Sequence, residues 1–261
     1  MGFKDHFSKQ ASDYAKFRPR YPRKLFKYLG SVAPGRTLVW DCATGNGQAA
    51  LELAEVFDRV IATDASEKQI ANAQPDARVE YRVAPAENSG LESGTVDLIM
   101  VAQALHWFDL PRFYDEARRV LKPHGVLAAS AYNLLTIAPA IDEVVNRYYF
   151  EVVGRFWPPE RELVEKFGQL PFPFPEIVAP AFEMIAQWNL AHLIGYLRSW
   201  SATQRFIAAN DCDPLEIIAG DLGAAWGDAE QTRRVLWPLT LRVGINAISN
   251  PPNEPLRRTR Q

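Results

Sequence analysis

The sequence predicts an α/β protein with a doubly wound parallel sheet, and three observations carry that prediction. From Thr37 onward, apolar runs of strand length alternate with amphipathic segments of helix length. Two of those runs, 37–41 and 96–102, are apolar along nearly their whole length, as strands covered by helices on both faces must be. The first passes through the small-residue loop Ala43-Thr44-Gly45-Asn46-Gly47 into a helix start, and the next ends on an acid, Asp64. Such a loop brings bare backbone to a ligand, and a carboxylate at the tip of the second strand can hold two neighbouring ribose hydroxyls, so a nucleoside cofactor is expected. The other reading of Asp64 is a strand-end acid that caps the following helix.

The elements follow in order. Pro19 and Pro22 divide the N-terminal region into a first helix and a second around 24–29 that Gly30 ends. Strands are expected at about 37–41, 59–64, 78–84, 96–102 and 125–131, with helices at about 47–57, 66–74 and 110–121. Ser66 with Gln69 makes a capping box, and Asp109 before Pro111 makes another helix start. Ile141, Val144, Val145, Tyr148, Tyr149 and Val152 recur at helical spacing and predict an amphipathic helix over 138–153. Phe156-Trp157-Pro158-Pro159 and the run 170–175 then form aromatic, proline-rich turns. Together these make an insertion over about 132–180. Period-two alternation returns at Phe182, Met184, Ala186 and Trp188 and again from Val235 to Ile245, with a helical stretch 190–226 between them. Pro238 inside the last run points to an edge or a bulge. Residues 250–261, with three prolines and three arginines, are expected to be a flexible tail.

Composition narrows the function classes. With 261 residues and 48% hydrophobic content, the chain can bury one full core. A net charge of −2 argues against broad phosphate contacts, so no nucleic-acid partner is expected. Residues 1–27 carry eight Lys or Arg against two Asp, which reads either as a solvated face or as an attraction for an anionic substrate. Two cysteines make no disulfide framework, no segment has the length of a membrane span, and the first residues lack the apolar stretch of a signal peptide. A cytoplasmic protein is expected. The four histidines are scattered and no metal-ligand cluster or nucleophilic elbow stands out, so no metal is expected.

Which nucleoside is a question of register. Gly45-Asn46-Gly47-Gln48-Ala49-Ala50 fits the G-x-G-x-x-[GA] pattern of dinucleotide folds. In those folds the first glycine follows the strand at once, because the pyrophosphate sits on the helix N-terminus. Here Asp41 ends the strand and three residues precede Gly45. An acid there repels a pyrophosphate but suits a ligand with an ammonium and a sulfonium, and S-adenosyl-L-methionine is such a ligand.

Asp41 to Gln48 resembles the first motif of the class I S-adenosylmethionine-dependent methyltransferases. The later segments 84–87, 96–109 and 120–127 agree with that family in order. Phe7, Tyr14 and Arg18-Pro19-Arg20-Tyr21-Pro22 are similar to the type 11 branch that includes trans-aconitate methyltransferase-like proteins. The resemblance is close to about residue 135 and looser beyond. It implies a Rossmann-like sheet of seven strands, the last antiparallel, with an N-terminal lid formed by helices within 1–30 and a cofactor-binding domain over 31–249. It departs at Ala43, which stands where the family has the first loop glycine; alanine must there adopt a conformation an L-residue tolerates.

By that resemblance the cofactor lies against Asp41, Ala43, Gly45, Gly47, Asp64 and Ala65, with Ala86 and Glu87 near the adenine edge and Gln103 near the methionine part. Tyr14 and Arg18, four apart, share a helical face, and in the family this segment folds over the cofactor. His106 and Trp107 open the loop after the fourth strand, at the edge where open α/β sheets bind ligands. His106 reads as a general base, as a hydrogen-bond donor to a carboxylate, or as a packed structural histidine. Trp107, Tyr132 and Trp157 are expected to wall the acceptor, although packing alone would also account for them. The sequence therefore reads as a methyltransferase for a small, anionic acceptor, a carboxylate giving a methyl ester. The alternatives are an RNA or protein methyltransferase, an NAD-dependent reductase, and a non-catalytic nucleoside-binding protein.

Overall fold

Residues 17–247 are described by the computed structural model of the chain. Tyr14, most of the expected lid and the tail 250–261 lie outside them. The first complete helix, α1 (Arg23–Val32), starts after Pro22 and stops at Ala33, which is held extended by Pro34. It then alternates with the sheet as β1 (Leu38–Cys42), α2 (Gln48–Ala54), β2 (Arg59–Asp64), α3 (Glu67–Ala71), β3 (Val79–Val83), β4 (Val96–Ala102), α4 (Leu110–Val120) and β5 (Leu121–Tyr132). The insertion holds α5 (Pro139–Arg147), a π turn (Tyr148–Val152) and α6 (Arg161–Glu165). The chain closes with β6 (Phe182–Trp188), α7 (Leu190–Arg198), α8 (Ser201–Asn210), α9 (Ala219–Trp226) and β7 (Arg233–Ile245).

The seven strands lie in the order β3-β2-β1-β4-β5-β7-β6. β1 to β5 pair in parallel, and β7 runs antiparallel to both β5 and β6. Strand order reverses between β1 and β4, so the loops that follow these two strands diverge and leave a crevice at their carboxyl ends. Alternating residues send the strands into two cores. Val39, Val60, Leu98, Met100, Val126 and Ala128 join one with α1 and α2; Trp40, Ile61, Ile99, Val101 and Leu127 join the other with α4. Each fully buried side chain of this size contributes on the order of 1.5–3 kcal/mol, so the edge that carries the crevice is rigidly founded.

Three sequence expectations change, and Pro238 takes one of its two expected settings. The helix expected to end at Gly30 runs on to Val32, because Gly30 is a site of close approach where a side chain would strike Val56. That helix buries Leu25, Phe26 and Leu29 in the core, so it is part of the domain's packing and not of a lid. The helix expected over 138–153 is α-helical to Arg147 and then widens into the π turn. Pro238 sits in an interior strand, not an edge. Between the pairs Tyr132↔Leu239 and Thr136↔Leu236, β5 and its continuation advance four residues while β7 advances three, and this bulge is where proline's missing N–H goes unmissed.

Candidate active site

The loop after β1 is held by its neighbours and left open above. Thr44 N–H donates to the Thr63 carbonyl at 2.9 Å and Gly47 N–H to the Thr44 carbonyl at 3.1 Å. Asp64, 9% exposed at the tip of β2, accepts from Gly45 N–H at 2.9 Å with one carboxylate oxygen and from Ser66 N–H at 2.8 Å with the other. It thus ties the loop to the start of α3, with Ala65 between these contacts. Gly47 (φ +88°) lies under the ring of Tyr81, where a side chain would collide with it. Gly45 (φ +59°) has nothing within 4 Å of where a Cβ would be, so its backbone is bare toward the crevice. Ala43 does not take the conformation expected of an L-residue. At φ +57° it keeps the left-handed geometry a glycine would use, because Thr44 must reach β2 on one side and Asp41 on the other.

Asp41 is fully buried. Its Oδ2 accepts from Thr44 Oγ1 at 2.5 Å, and its Oδ1 has no partner of ordinary hydrogen-bond geometry. Burial raises its carboxyl to about 7 and Asp64 adds to the rise, while Thr44 and the Ala50 backbone pull the other way. Ala86 is buried in the second core, and Glu87 accepts from Asp109 N–H at 2.9 Å, joining the loop after β3 to the start of α4.

On the other side of the crevice, Gln103 ends β4 at φ +57°. Its side chain pairs with the Tyr132 backbone in both directions, Nε2 donating to the carbonyl at 3.1 Å and Oε1 accepting from N–H at 2.7 Å. Tyr132 Oη in turn accepts from Arg18 Nη1 at 3.3 Å, and the Arg18 guanidinium lies 5.2 Å from the centre of the Tyr196 ring. Arg18 therefore reaches inward over the carboxyl edge of the sheet.

His106, in the 3₁₀ turn Leu105–Trp107, is 8% exposed and its Nδ1 has no partner. Burial first, and then the Arg161 cation, pull its pKa down to about 3. Both causes favour the neutral imidazole, which sets the packed histidine ahead of the general base among the readings of the sequence. Trp107 packs against it with ring centres 4.8 Å apart. Trp157 packs at a tilt against Tyr149 and Trp200, with ring centres 4.9 and 5.5 Å away, and its ring centre lies 5.1 Å from the Arg161 guanidinium. Arg161 and Asn133 escaped the sequence analysis. No local sequence signal marks Arg161, because Trp157 is extended, two prolines follow it and α6 begins only at Arg161.

Residues 40–129 match the family model of a methyltransferase domain. A Dictyostelium discoideum protein named as a methyltransferase is 36% identical over 229 residues, covering 86% of this chain and 87% of its own. This chain belongs to the class I S-adenosylmethionine-dependent methyltransferases. A solved structure named as a type II methyltransferase, from Anaeromyxobacter dehalogenans, is 48% identical with a TM-score of 0.85, covering 89% of this chain and 100% of that one. A Saccharomyces cerevisiae relative named as an S-adenosylmethionine-dependent methyltransferase is 28% identical over 152 residues, 54% of this chain and 51% of its own.

The cofactor of this methyltransferase is S-adenosyl-L-methionine, and the crevice fits it. Asp41 Oδ1 is a buried acceptor without a partner among the described residues, and Gly45, in the loop that follows β1, has open space where a Cβ would be. Among the described residues no cluster of His, Cys, Asp or Glu could hold a metal ion, and no helix is long and apolar enough to cross a membrane.

Proposed function

We propose that this methyltransferase acts on a small organic acid and forms its methyl ester. The observation that carries the reading is the setting of His106, an imidazole 8% exposed with an unpartnered Nδ1, where burial and the Arg161 cation disfavour the protonated form. A hydroxyl, or an amine that is protonated at pH 7, must give up a proton to become a nucleophile, whereas a carboxylate is already ionised at pH 7 and needs orientation and shelter from water instead of a base. The resemblance of 18–22 to the trans-aconitate methyltransferase-like branch supports the same acceptor class, and so does the Arg18 cation at the carboxyl edge of the sheet.

When bound, S-adenosyl-L-methionine supplies an electrophilic sulfonium methyl group. Asp64 and Ala65 would take the ribose, the backbone of Ala43, Gly45 and Gly47 would lie against the cofactor, and Asp41 would face its cationic end. Ala86 and Glu87 would border the adenine. Gln103 acts through the Tyr132 backbone it fixes, and Trp107, Tyr132 and Trp157 would exclude water from the acceptor. Incubating candidate acids with methyl-labelled cofactor and treating the products with mild alkali tests the proposal. Esters release volatile labelled methanol; turnover giving only alkali-stable label would refute the carboxylate and leave the methyltransferase intact.

A further inference from the structure

Arg161 is a half-buried cation that makes no direct ion pair among the described residues. It opens α6 and lines an open pocket with Tyr149, Trp157, Glu162 and Glu165. Its guanidinium lies 5.4 Å from the Tyr149 ring centre and 5.1 Å from that of Trp157. Nε donates to Tyr149 Oη at 2.7 Å and Nη2 to Asn133 Oδ1 at 3.3 Å, which leaves Nη1 without a partner among the described residues. The pocket's acids are engaged elsewhere. Glu162 pairs with Lys166 at 2.5 Å, and Glu165 accepts from Tyr149 Oη at 2.8 Å. Two rings and two hydrogen bonds thus fix a planar cation in place, and among the described residues no direct ion pair neutralises it. A second orphan lies nearby: the buried Nδ1 of His106, on the loop after β4, sits within the field of Arg161.

We propose that Arg161 is the residue by which this methyltransferase recognises its acceptor, and that it grips an anionic group other than the one that receives the methyl. A carboxylate held by charge-assisted hydrogen bonds has its lone pairs occupied and its nucleophilicity lowered, so a group held there serves as an anchor. Trp157, half-buried on the rim, presents apolar surface for the body of the acceptor beside that anchor. The inference rests on the small-anion reading of the acceptor given above.

The test follows the Arg161 Nε–Hε resonance of uniformly ¹⁵N-labelled protein, saturated with S-adenosylhomocysteine, during titration with benzoate, phenylphosphate and benzamide. The resonance is assigned by its loss in Arg161→Lys, or by its displacement in Asn133→Ala should the first variant not fold. Benzoate should shift it saturably, benzamide should leave it in place, and in a folded Arg161→Lys protein benzoate affinity should fall about tenfold. A shift with phenylphosphate but none with benzoate keeps the anion anchor and counts against the organic-acid reading. A resonance unmoved by both anions, or moved equally by benzamide, overturns the anchor and leaves the methyl-ester reading to its own assay.

Discussion

The two sides of the crevice are built from different materials. On the side of β1 and β2 the surface is backbone and carboxylate: three left-handed residues in a five-residue loop, one orphaned acid beneath them and one acid tying the loop down. On the side of β4, β5 and the insertion it is rings, an imidazole and two arginines. The buried titratable group on each side is displaced in opposite directions, Asp41 up to about 7 and His106 down to about 3, and in both burial is the largest cause. Each therefore tends toward its neutral form. For a cofactor with cationic groups this leaves an acid that can ionise once a cation sits beside it, while on the other side the imidazole beside the Arg161 cation is favoured in its neutral form.

The largest expected effect separates these two groups by pH. Because Asp41 has a folded pKa above its ordinary 3.8, the folded state keeps the proton longer than the unfolded chain. Stability then falls as pH rises from about 4 to about 7. For His106 the folded pKa lies below the ordinary 6.5, so the unfolded chain binds the proton first and stability rises over about 3 to 6.5. The slopes oppose each other where the windows overlap. In ligand-free protein, Asp41→Asn should leave a stability that climbs with pH over that range by up to about 3 kcal/mol, and His106→Gln one that declines by a similar amount. Denaturant melts from pH 4 to 7.5 read both, and parallel profiles for the two variants would break the contrast.

Next in size is Asp64→Ala. The loss of an acceptor shared by Gly45 and Ser66 should cost about 2 kcal/mol of stability, and calorimetry should show S-adenosylhomocysteine binding weakened roughly ten- to a hundredfold. A corresponding change on the other side, Trp157→Ala, should leave that dissociation constant within about twofold. If both variants lose the cofactor equally, the crevice is one site and the division fails. The smallest effect is a gain. Ala43→Gly relieves a left-handed alanine worth about 1–2 kcal/mol but adds freedom to the unfolded chain, so thermal unfolding should show a net stabilisation below about 1 kcal/mol.

The same contrast explains what could be read in advance. The cofactor side comes from segments contiguous in sequence, 41–48 and 60–66, whose spacing and small residues directly express the need for a close backbone approach. Asp64 was visible there as a strand-tip acid, and the structure adds that it also fastens the loop. Ala43 misled because sequence records the side chain and not the φ that Thr44 and its partners impose. On the acceptor side, Asn133, Tyr149 and Arg161 meet only after the chain has wound through the π turn and proline-rich bends. No local period records such a meeting. His106 was legible in place but not in protonation, since its low pKa comes from burial and from a cation 55 positions further along.

The central claim is that methyl transfer here proceeds beside a histidine that stays neutral and takes no proton. The most direct measurement is the ¹³C–¹H spectrum of the His106 ring, assigned with His106→Gln and followed from pH 5 to 8 with S-adenosylhomocysteine bound. A resonance that does not titrate across this range is the predicted result, whereas an inflection between pH 6 and 7 would contradict the account.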